Sequence, residues 1–153
     1  MLDGVLAELA LRAPQAVLTV GAFDQGVTVV PRGPVAAFGA AQLAALRSHG
    51  ALGAPDLEGA LVWTAAEVRA TRATRLVIFG DAVATAGSAD LTWLRGAARA
   101  LGALELERLD VAALGETRSE RTMRALAVGS LGHDGMVIEG TRPAKEIAAR
   151  LGP

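Results

Sequence analysis

Leu76-Val77-Ile78-Phe79-Gly80-Asp81-Ala82-Val83-Ala84-Thr85-Ala86-Gly87 is the stretch that decides the fold. An apolar run passes without a polar break into an acidic, glycine-flanked loop, and a helical pattern follows. A strand buried on both faces reads this way, and open α/β sheets place ligand-contacting residues in the loop at its carboxyl end. Asp81, with Thr85 behind it, is therefore the first candidate for a functional site.

Working outward, the same alternation recurs on both sides. Downstream, residues 89–101 read as a helix with Ser88 as N-cap and Gly102 as stop, and 108–114 as a strand. Thr117 and Glu120 form a capping-box pattern for a helix to about Val128. Residues 135–139 read as a short strand, and Pro143 opens a terminal helix that ends at Gly152. Upstream, Pro55 and Asp56 suit the start of a helix running to about Arg72. Before it, 36–47 is a helix, and 16–23 and 27–30 are apolar stretches separated by the turn Asp24-Gln25-Gly26. Pro31 and Pro34 are expected to end the second stretch. Leu2, Val5, Leu6 and Leu9 recur at helical spacing, so the chain opens on an amphipathic helix. The expectation is a single α/β domain over 1–153: a Rossmann-like, open, mostly parallel sheet with helices on both faces and one antiparallel edge hairpin.

Composition narrows the function classes. The 153 residues are 52% hydrophobic, enough for one core of this size, and 15 Lys+Arg nearly balance 16 Asp+Glu. A balanced charge gives no field to attract a phosphate backbone or an anionic membrane, so neither is expected as a partner. The chain has no cysteine, which excludes disulfides and thiol chemistry. With no signal-peptide pattern and no apolar run near the ~20 residues of a membrane span, a cytoplasmic location is expected.

Three segments carry a resemblance: Ala16-Val17-Leu18-Thr19-Val20-Gly21-Ala22-Phe23-Asp24 before the hairpin, Gly53-Ala54-Pro55-Asp56-Leu57-Glu58-Gly59-Ala60-Leu61 at a helix start, and 76–87. In this order and spacing the sequence resembles the von Willebrand factor A domain, of the form found beside inter-alpha-trypsin-inhibitor-type modules. That resemblance implies a protein-binding domain. The family's magnesium site uses an Asp-x-Ser-x-Ser loop after a central strand, a Thr before the middle helix and an Asp after the next core strand. Only the last is kept here, as Asp81; Pro55 stands at the Thr position, and Ala82 replaces the usual Gly. One carboxylate is a poor cage for a cation that wants six oxygens. No metal or other cofactor is therefore expected, and Asp81 and Thr85 are the residues that would carry any residual Mg²⁺ site.

The resemblance also implies that the first, central strand is missing. Either the chain is a fragment or short form, or another chain supplies a strand. The strands at 16–23 and 75–79 would then pair directly or accept a donated strand between them.

No phosphate-binding loop and no Gly-x-Ser-x-Gly nucleophile elbow occurs. His49 and His133 fall in turns, without the spacing of a Ser/His/Asp set. The expected function is non-enzymatic protein binding or self-association. Trp63 lies off the apolar face of its helix (Leu57, Ala60, Leu61, Thr64, Val68), and Trp93 flanks the face Leu91, Leu94, Ala98, Leu101. Both are partner-binding candidates, with Asp24, Pro55, Asp56 and Asp81 on the loop rim. The alternative is a small Rossmann-like or flavodoxin-like enzyme using Asp81 and His133 at that rim. A pocket joining the two would favour it.

Overall fold

The computed structural model describes residues 1–24, 26–48, 56–83, 90–114 and 118–152. Their elements, in chain order, are α1 (Leu2–Arg12), β1 (Val17–Phe23), β2 (Val27–Pro34), α2 (Ala40–Ser48), α3 (Leu57–Thr71), β3 (Arg75–Gly80), α4 (Leu91–Gly102), β4 (Arg108–Ala113), α5 (Glu120–Ala127), β5 (Val137–Glu139) and α6 (Ala144–Leu151). A single 3₁₀ turn, Val35–Ala37, precedes α2.

β3, β4 and β5 form a parallel three-stranded sheet in that order, while β1 and β2 form a separate antiparallel pair. The hairpin is therefore not the edge of one continuous sheet, and β1 does not pair with β3. Helices cover both faces of the parallel sheet, as the strand alternation requires. Ile78, Leu109, Val111 and Ala113 point into the larger core with Leu61, Val68, Leu94, Leu101, Met123 and Leu126 from α3, α4 and α5. Val77, Phe79 and Ile138 point the other way, against Val5, Ile147 and Leu151 from α1 and α6.

Local sequence explains most element ends. Asp56 caps α3 by accepting from the Gly59 N–H (2.9 Å), and Arg72 closes the helix in the left-handed conformation. The buried residues of α3 are Leu57, Ala60, Leu61, Thr64 and Val68, the face expected from spacing. Two other caps differ from expectation. Asp90 caps α4 by accepting from Thr92 and Trp93 N–H, and the proposed cap Ser88 lies outside the described residues. Ser119 caps α5, accepting from Thr122 N–H (3.3 Å); the helix begins at Glu120, so Thr117, also outside the described residues, is too early for this cap. Pro31 and Pro34 do not end β2, which runs through both. Pro31 falls at the register break between the Val20–Val30 and Leu18–Gly33 pairs, where it is unpaired, and Pro34 stands at the end of β2; a proline is tolerated at such a bulge and on an edge strand.

At the start of β5 the chain passes so close to β4 that only glycine fits. A Cβ on Gly135 would lie 1.7 Å from the Leu109 carbonyl oxygen.

Candidate functional site

The two sheets are related through α3. The carbonyl of Asp24, just past the end of β1, accepts from the backbone N–H of Asp56, the N-cap of α3 (2.7 Å). The 15 residues of α3 span about 22 Å, and only Ala73 and Thr74 separate its C-cap from β3, so the helix runs antiparallel to β3. The carboxyl ends of β1 and β3 thus share one rim, and the two strands run parallel. Among the described residues no backbone hydrogen bond joins them.

Between them lies a cleft of about 1340 Å³. Every residue of β1 and of β3 lines it, with Val5, Leu6 and Leu9 of α1 and Leu61, Trp63 and Val68 of α3 enclosing it. It exceeds the roughly 300–1,000 Å³ of small-molecule sites, and native interiors hold few voids larger than a water molecule. Its character follows from sequence: 17–23 and 76–79 are apolar on both faces, as for strands in the middle of a sheet, yet each has a neighbour on one side only.

The expected site residues distribute around this cleft. Asp81 lies at its carboxyl-end rim, where its Oδ1 accepts from Val83 N–H (2.9 Å) and its carbonyl from Ser119 N–H (3.0 Å). Ala82 beside it has φ +53°, the left-handed region that favours glycine. Asp24 is a turn residue, its Oδ1 accepting from Gly26 N–H (3.1 Å). Asp56 is the α3 cap. Trp63 does not face solvent: it is half-buried, and a Cβ on Gly21 would come within 2.9 Å of its ring, so glycine at that position of β1 makes room for the indole. Val62 is the outward residue of that turn, 63% exposed. Trp93 packs half-buried against the larger core. Pro55, Thr85 and His49 lie outside the described residues.

Asp81 spends one oxygen on its own loop, and among the described residues no three His, Cys, Asp or Glu side chains gather to hold a metal. Nor are Asp81 and His133 brought together. His133 is exposed, and its N–H donates to the carbonyl of Glu107 at the amino end of β4. With Arg75 opposite Arg108 and Gly80 opposite Ala113, Asp81 is at the other end of the sheet, about 17–20 Å along the strands. Among the described residues no helix is long and apolar enough to cross a membrane.

One buried polar cluster went unmarked by the motifs. Asp110, fully buried in β4, accepts from Arg75 Nε (2.7 Å), Arg108 Nε (2.9 Å) and the Met136 N–H (2.8 Å). Arg75 also donates to carbonyls of Arg150, Leu151 and Gly152 at the end of α6. The signal for it was an acid in the middle of an apolar strand with an arginine two residues before it. The buried carboxylate of Asp110 is fully answered within the protein, by two guanidinium groups and a backbone N–H, so the cluster reads as structural.

Comparison with family models, with curated proteins and with solved structures gives no match.

Proposed function

We propose that this chain is a non-enzymatic protein-binding domain of the von Willebrand factor A type that acts without a metal, and that its binding surface is the cleft between β1 and β3. The observation that carries this reading is the cleft itself: an unfilled apolar volume in the middle of an α/β domain, bounded by two strands whose composition suits a sheet interior. The metal-independent mode rests on the missing Asp-x-Ser-x-Ser loop and on Pro55 at the position of the Thr. Charge balance makes another protein a better partner than nucleic acid or a membrane surface.

The test is a binding titration of a partner recovered on the immobilised chain, identified and purified, with wild type and Leu18→Lys. Leu18 is half-buried on the cleft wall, and a lysine stem can lie along the apolar surface while its ammonium blocks the opening. Binding at least about tenfold weaker, a 1.4 kcal/mol loss, with a melting temperature little changed, is the expected result. Failure to recover any partner, or equal affinity of both proteins, would count against the reading.

A further inference from the structure

Resting on that reading, the geometry points to a specific occupant: we infer that the cleft takes an extended apolar segment of about six residues from another polypeptide, inserted as a parallel strand between β1 and β3. The insertion would join the two sheets into one, ordered β2-β1-guest-β3-β4-β5.

The argument is one of backbone accounting. A strand presents N–H and C=O groups on both edges, and unpaired edges require a partner or a cover. β1 is paired only with β2 and β3 only with β4. Their remaining edges face the same space, since all of both strands line it. A helix or a small ligand cannot serve two parallel rows of donors and acceptors at once, whereas a strand can, because it too has two edges.

Size agrees. A six-residue strand is about 20 Å long, 4.8 Å wide and 10 Å thick, on the order of 1,000 Å³, against the 1340 Å³ of the cleft. β3 has 6 residues and β1 has 7, so the guest matches their length. Val5, Leu6 and Leu9 of α1 and Leu57, Leu61 and Val68 of α3 make most of the enclosing wall apolar, with Thr64, Glu67 and Thr71 interrupting it, so both faces of the guest should be mainly apolar. Val, Ile and Leu suit such a strand.

Polarity follows from the ends. Toward the amino ends of the strands the cleft is lined by Arg32, Arg72 and Arg75 against Glu67, with Arg72 also paired to Glu105, and at the carboxyl ends Asp81 lines it. A guest running parallel to β3, acidic before its apolar run and basic after it, meets both. A second copy of this chain is a poor donor, since among the described residues each of its strands is already paired and would have to be withdrawn from its own core.

The probe is a synthetic peptide with two aspartates, six alternating valines and isoleucines, and two lysines. Controls carry a central proline, which cannot complete the ladder, or the two charged ends exchanged. Thermal unfolding and backbone amide exchange are read on the full chain. The expected result is a melting-temperature rise of about 5–10 °C at a hundredfold excess over Kd. Slowed exchange should appear in both 17–23 and 75–80, the proline peptide should give neither effect, and the charge-exchanged peptide should bind more weakly. Protection of only one strand, or equal effects from the proline peptide, would overturn the inference. So would concentration-dependent dimerisation that protects both strands without peptide, which would make a second copy the occupant. If a purified partner binds but leaves both strands unprotected, strand insertion fails while protein binding stands; if no partner binds at all, the broader reading fails.

Discussion

Replacing Asp110 with alanine should cost about 3–5 kcal/mol, the range for breaking a buried ion pair by removing one partner. The structure explains where this comes from. The carboxylate is fully buried and answers two guanidinium groups and the Met136 N–H. Without it, the Met136 N–H at the start of β5 loses its acceptor, worth about 1–3 kcal/mol if it stays dry. The arginines are less stranded: Arg75 and Arg108 side chains are 25% and 29% exposed, and Arg75 keeps the α6 carbonyls, so the lower half of the range is expected. For a domain of this size that loss lowers the melting temperature by about 6–16 °C. Urea unfolding followed by circular dichroism measures it, and a double-mutant cycle with Arg75→Ala should show coupling above about 1 kcal/mol. A loss under about 1 kcal/mol for Asp110→Ala alone would refute the assignment of this cluster as the clamp between β3, β4 and α6.

Thermal unfolding in excess Mg²⁺ and in chelator should give the same melting temperature, because Asp81 is engaged with Val83; a metal-dependent rise of more than about 2 °C would restore a cation site, since only a ligand of the folded state raises it. Gly135→Ala should destabilise by at least about 3 kcal/mol in the same urea assay, because the added methyl meets backbone at Leu109 rather than a movable side chain. Glu105→Gly should be neutral or stabilising by up to about 1 kcal/mol: Glu105 sits at φ +73° after α4, and its ion pair with Arg72 is exposed on both sides, where such pairs contribute little.

Much of the local structure was legible because it is written in short-range pattern. The α3 face and the strand expected at 75–79, which runs on to Gly80, follow from spacing within a few residues; α4 instead includes Gly102, and the left-handed turn comes at Glu105. The caps show the limit. Thr117 and Glu120 satisfy the pattern of a capping box, but Ser119 lies within hydrogen-bond reach of Thr122 and takes the role. β2 continued through two prolines because one stands at a register break and the other at the end of an edge strand, and register and edge position depend on the whole sheet. The Asp110 cluster was not legible for the same reason: Arg75, Met136 and the end of α6 reach it from 26 or more residues away in sequence. Of the site, the rim position of Asp81 was readable from its strand, whereas the unpaired edges of β1 and β3 depend on the whole sheet. Trp63 does lie off the buried face of α3, but its packing over Gly21 of β1 was not readable, since a helical wheel cannot know that glycine in another element leaves room for its ring.

The division into two sheets also bears on how the protein is made. The hairpin of β1 and β2 leaves the ribosome early, but β3, β4 and β5, which build the larger core, arrive only with the second half of the chain. Until then the free apolar edge of β1 lacks the cover of α3 and β3 and has only α1 and α2 beside it, a condition under which nascent strands associate wrongly. Synthesis of this protein should therefore depend on chaperones that shield extended apolar segments, and its yield should fall most steeply when the hairpin is made without the residues that follow it.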